Sequence, residues 1–373
     1  MEKVLWKAII AMACVLATMT LMITPGCKQK QAELEKATLR ITCWAGYAKP
    51  YEAEFKALVK DKYQVDVELS VHNPTDQDEF FLAVQNDTAD LISPPIELPK
   101  TPRFYSYEES HPYLQPVDIN NIPNLKKMLP VFRNDTTPIY DGRRYGVPYN
   151  CGPYGLAYNA DQVQTAPDSW NILWKPEYAS KYTINNNFPK VNVWITALAL
   201  GYSYDDIFNI DKLDRAQVQK GLDLLAKNAK TLWDGAANPT EFPELTLATT
   251  WGFAAQQANI QGGNWLLAAP KEGGTAWIDA WYIGAGAKGL TKQLAEEWIN
   301  FMLAEKQQAD VVKSQGVSPV ITEVGETLSD KEKTMFHVGD NDYFKTVALW
   351  RVMTEETEQA FNAMWQEAQK TRQ

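Results

Sequence analysis

The chain is 373 residues long, enough for two domains of ordinary size, and its 45% hydrophobic and 22% charged residues strike a globular balance. Forty-six acids against 36 bases give a net charge of −10, which argues against a nucleic-acid partner, because phosphate backbones are held by Lys and Arg. Thirteen Trp and seventeen Tyr are many for this length; most belong in a core, and an excess of aromatic faces also suits a sugar or cation site.

Residues 1–26 read as a targeting leader. Lys3 and Lys7 form a basic start, and Ala8 to Ile23 is an apolar run that is short for a membrane span. It ends at Thr24-Pro25-Gly26-Cys27, a lipobox-like site with Cys27 as the candidate lipid attachment and Thr24 departing from the usual Leu or Val. Ordinary signal cleavage and an uncleaved anchor are the alternatives; each places the chain outside the cytoplasm. Only Cys43 and Cys151 then remain, and they read either as one disulfide or as two buried thiols. No Cys/His spacing suits a metal.

Residues 27–37 form a polar tether. Leu39, Ile41 and Cys43 alternate as a strand, so folding is expected to start at Thr38. Tyr51, Phe55 and Leu58 then mark a helix face, and Val65 to Val71 alternate as a second strand. This strand-helix-strand opening signals an α/β sheet. Asp90 to Ser93 is a short strand stopped by Pro94 and Pro95, and a new segment follows the turn Asp141-Gly142. Val218, Leu222, Leu225 and Ala229 predict a helix within 211–233, and one more helix is predicted over about 290–314 with Thr291 as its N-cap.

No catalytic motif emerges: His72, His111 and His337 are far apart, Gly201 to Asp205 lacks the second glycine of a nucleophile elbow, and no phosphate loop occurs. Gly284-Ala285-Gly286-Ala287-Lys288-Gly289 fits the dinucleotide pattern, but the helix after it leads to Gly316 to Pro319 rather than to a strand with a ribose-binding acid. It is read as a tight structural turn, with no cofactor.

The informative residues lie at strand ends, where open α/β sheets bind ligands. Trp44 and Tyr47 follow the first strand, Trp251 follows the strand-like run from Leu245 to Thr250, and Trp277 and Asp279 lie within Ala276 to Ile283. Aromatic faces with a carboxylate are what an ammonium ligand needs.

These positions carry a resemblance to the spermidine/putrescine-binding proteins of bacterial ABC importers. The matching strings are Trp44-Ala45-Gly46-Tyr47, Asp90 to Pro94, Val147-Pro148-Tyr149, Gly155 to Asn159, Asp168 to Trp174, Pro176 to Tyr178, Pro270 to Gly273, Trp277 to Asp279 and Gly286-Ala287-Lys288. The resemblance implies a two-lobed α/β clamp of the type II periplasmic-binding-protein kind, each lobe a mixed sheet flanked by helices, with two hinge crossings near residues 150 and 275. Lobe 1 would be 38–152 with about 280–315 returning to it, and lobe 2 would be 153–279 with part of 316–373. A monomer would capture a small amine such as putrescine or spermidine and pass it to an ABC permease; a membrane sensor receptor is the alternative partner. Its ligand-binding residues would be Trp44, Tyr47, Trp251, Trp277 and Asp279, with no catalytic residue and no metal.

The chain also departs from that family. Pro95, Ile96 and Glu97 stand where Ser and an aromatic residue are usual, Asn185 to Asn187 replace an acid, and Ala254 replaces an Asp. Glu97 is then either a substitute carboxylate from the opposite lobe or a solvated loop residue. If it faces away, a singly charged or zwitterionic ligand (a betaine, a choline-like cation, an aminophosphonate) fits better.

Overall fold

The computed structural model describes residues 34–101, 112–345 and 347–372. The leader, Cys27 and the tether up to residue 33 lie outside the described residues. The first unit runs β1 (Glu35–Cys43), α1 (Glu52–Tyr63), β2 (Val65–His72), α2 (Asp78–Gln85) and β3 (Leu91–Ser93). β1 starts three residues before Thr38, inside the polar stretch. Glu52 and Glu54 in the first turn of α1 and Lys60 and Lys62 in its last complement the helix dipole, and Gln64 closes it in the left-handed conformation. In β2, Val65, Val67 and Leu69 are buried while Asp66 and Glu68 face out, as a half-buried strand requires.

The middle of the chain holds β4 (Leu114–Gln115), α3 (Pro130–Arg133), β5 (Ile139–Tyr140), β6 (Arg143–Arg144) and the long β7 (Gly146–Asn159). Then come β8 (Tyr182–Asn185), α4 (Pro189–Ala199), α5 (Arg215–Asn228), β9 (Thr231–Trp233), β10 (Leu247–Thr250), α6 (Phe253–Ile260) and β11 (Trp265–Leu267). The chain closes with β12 (Thr275–Gly284), α7 (Gly289–Met302), α8 (Glu305–Gln315), β13 (Ser318–Pro319), α9 (Asp330–Met335), β14 (Ala348–Leu349) and α10 (Glu355–Gln369).

Among the described residues twelve strands share one sheet, ordered β2-β1-β3-β12-β7-β10-β8-β9, with β4 and β14 also on β12 and β11 and β13 also on β7. β7 belongs to both halves. Residues 146–154 pair antiparallel with β12, and Gly155 to Tyr158 pair with β10. Parallel pairs β1–β3 and β8–β10 sit beside these antiparallel ones, so the sheet is mixed. α4, α5 and α10 pack against one another beside the second half, while α7 packs on α1 and β12 of the first.

Three expectations change. The helix over 290–314 is two helices, α7 and α8, and Lys288 rather than Thr291 is at its N-cap position. Gln308 accounts for the break: it is fully buried, and its amide donates to Met302 O and Tyr149 O at 2.9 Å each, satisfying a carbonyl that α7 leaves open. Ala229 is not helical, because α5 ends at Asn228 and the chain turns into β9 beside β8. The glycine-rich stretch is a turn from β12 into α7, as read: a Cβ on Gly284 would lie 2.7 Å from Ala89 O. Cys43 and Cys151 are free thiols, both fully buried, and burial pushes both thiols up.

Candidate functional site

β12 runs beside β7 with Asp279 opposite Asn150 and Trp277 opposite Gly152. Residues directly opposite share a face, so Trp277, Asp279, Asn150 and Gly152 stand on one side of the sheet. Gly152 is needed there: a Cβ would meet the Trp277 ring at 2.6 Å, so its absence lets the indole lie across β7. The Trp277 indole N–H is buried without a partner.

Tyr47 reaches Asp279 from the loop after β1. Its hydroxyl donates to Asp279 Oδ2 at 2.7 Å, and both side chains are buried. Burial pushes the Asp279 carboxyl up to about 8; the Tyr47 bond pulls it down, the charge of Glu97 raises it further, and the Trp44 indole lowers it. At neutral pH this carboxyl holds its proton. Trp44 is otherwise packed edge-on against Phe80, ring centroids 4.9 Å apart. Asn150, fully buried, lies beside the Tyr47 phenol, yet neither its Oδ1 nor its Nδ2 is in hydrogen-bonding geometry with any group.

Glu97 is not a solvated loop residue. The chain from Pro94 to Ile96 runs alongside β12, with Ile96 N donating to Ile278 O at 2.8 Å and Ala280 N to Pro94 O at 3.0 Å. Glu97 is 2% exposed, and its Oε1 accepts from Lys190 Nζ at 3.1 Å while Oε2 is buried without a partner.

Lys190 enters from the first turn of α4, and its Nζ lies 4.3 Å from the Trp350 ring centroid and 5.6 Å from that of Trp194. Trp251 stands behind Trp350 at 5.9 Å and is packed by Tyr154 at 5.1 Å and Phe188 at 5.5 Å. Its indole N–H donates to Gly235 O at 2.6 Å.

The predicted residues therefore fall into two clusters joined by Glu97. Tyr47, Trp44, Asp279 and Glu97 come together; Trp251 belongs to an aromatic group on the far side of Lys190. Glu97 and Lys190 line a cavity of about 250 Å³, and Asp279 and the four predicted aromatics lie outside its lining. Lys190, Trp350 and Asn150 were missed by sequence reasoning. Asn150 directly follows the Val147-Pro148-Tyr149 string, which was the available signal. The Asn run that replaces an acid is used structurally: Asn185 Oδ1 accepts from Phe188 N at 2.5 Å and Asn187 Oδ1 from Gly235 N at 3.0 Å.

Residues 86–347, more than half of the chain, match the profile of the bacterial extracellular solute-binding proteins. The chain belongs to that family. This solute-binding protein is 29% identical over 205 residues to the spermidine/putrescine-binding periplasmic protein of Salmonella typhimurium, an alignment covering 54% of the chain and 57% of that relative. It is 29% identical over 204 residues to the protein of the same description from Escherichia coli, covering 53% of the chain and 56% of the relative. The chain spans about half the length of the curated relatives it matches. Among solved structures, the spermidine/putrescine ABC transporter substrate-binding protein PotD of Streptococcus pneumoniae superposes with a TM-score of 0.73 at 20% identity, over 90% of this chain and 99% of that one. The PotD lipoprotein of Treponema pallidum gives 0.70 at 18%, over 90% and 100%. The solute-binding protein thus has the two-lobed α/β clamp fold of these structures. Among the described residues no helix is long and apolar enough to cross a membrane.

Proposed function

We propose that the protein captures a small amine cation, of the polyamine kind carried in its relatives' names, and presents it to an ABC permease. The observation that supports this most is Asp279: a buried carboxyl, fixed by Tyr47 and kept neutral by burial, has no counter-charge of its own. An arriving ammonium would ionise it and supply that charge. In this reading Trp44, Tyr47 and Trp277 wall the ligand beside Asp279, Asn150 offers its unused amide, and Glu97 adds its charge from the segment beside β12, with Trp251 in the aromatic group behind Lys190. Closure of residues 38–152 on 153–279 would exclude water and strengthen each charge contact.

A thermal-shift panel of putrescine, cadaverine, spermidine, choline and glycine betaine tests this. An amine at about 100 times its dissociation constant stabilises the protein by roughly 2.7 kcal/mol. The shift is expected with an amine and lost in Asp279→Ala; silence with every amine would sink the reading. Membrane attachment through Cys27 goes with this role, and Cys27→Ala should move the protein from the membrane pellet to the soluble fraction of its host.

A further inference from the structure

Glu97 already holds an ammonium, and that ammonium belongs to the protein. Lys190 Nζ has the surroundings a free alkylammonium would seek: a carboxylate oxygen at 3.1 Å, one indole face at 4.3 Å and a second at 5.6 Å. The lysine side chain is only 16% exposed. Local structure disfavours it, since the first turn of a helix carries positive partial charge and repels a cation. The carboxylate and the rings offset that repulsion, so they are spent on Lys190.

We propose that Lys190 is a built-in ammonium occupying one of two amine positions in the buried site, which leaves Asp279 as the acceptor for a ligand that brings one positive charge. This rests on the amine-binding reading above and departs from its polyamine part, since the ligand then carries a single ammonium group.

The charge count supports the assignment. The buried acids here are Asp279 and Glu97, at 4% and 2% exposure. With Lys190 paired to Glu97, one ligand ammonium on Asp279 leaves the interior neutral. A second ligand ammonium leaves a net positive charge away from water, which is costly. Asp76, Asp78 and Glu358 line the cavity beside Glu97, which Asp279 does not, but they are half-buried or exposed, where solvent screens them.

The test is calorimetric titration of the full chain with putrescine and with n-pentylamine, its singly charged isostere. The wild type is expected to bind the monoamine at least about tenfold more tightly. Lys190→Met frees Glu97 and should reverse the preference toward putrescine, and the double variant Lys190→Met/Glu97→Gln should lose that gain. A wild type that prefers putrescine, with a ratio unmoved by Lys190→Met, overturns the proposal. If Lys190→Met does not fold, as judged by its thermal melt, the wild-type ratio decides alone. No binding of either amine to any form removes the amine reading itself, an outcome distinct from a reversed ratio.

Discussion

Asp279 and Tyr47 make a proton part of the binding event. With its carboxyl held up at about 8 by burial, Asp279 must release a proton when an ammonium docks against it below that pH. Amine affinity should therefore climb about tenfold per pH unit up to about pH 8 and then flatten, and Asp279→Asn should abolish the slope. Titrations in buffers of different ionisation enthalpy measure the proton directly. Stability has the opposite slope. The folded chain keeps a proton that an unfolded carboxyl, with its value of 3.8, gives up, so unliganded stability falls as pH rises between about 4 and 8. Asp279 and Tyr47 were legible because one stands within an apolar strand-like run and the other just beyond a strand that alternation reveals. Lys190 was not, because its meaning lies in Glu97, 93 positions away in sequence. Glu97 could be read both ways from sequence, and only the run of Pro94 to Ile96 beside β12 turns it inward.

Elements were legible where pattern and burial coincide. β1, β2 and β12 follow their alternation or apolar runs, and α1 follows its spaced aromatics. Boundaries failed where a single side chain sets them. Gln308 divides α7 from α8 by supplying a hydrogen bond that no periodicity announces. At α5 the boundary is local: Asp214 accepts from the backbone N–H groups of Ala216 and Gln217. Asp214→Ala should cost about 1 kcal/mol of stability, measured by denaturant unfolding, with amine binding unchanged.

Across the whole molecule, the Glu97–Lys190 pair connects the segment after β3 with α4, which belong to opposite halves of the sheet. Losing it should loosen the unliganded protein. Small-angle scattering of Lys190→Met is expected to give a larger radius of gyration than wild type, restored by an amine; equal radii would mean that the pair does not hold the halves together. The clamp architecture was legible from strings spread over the chain, whereas the neutralised second acid was visible only after the two halves met.

The pairing of β7 with β12 joins residues more than a hundred positions apart, from Thr275 with Tyr154 to Tyr282 with Gly146. The centre of the sheet cannot form until the chain from 146 to 284 has been made, and closing so long a loop precedes any reward from the contacts it brings. The two halves of the sheet are therefore joined only late in synthesis, after Thr275 to Gly284 has been made.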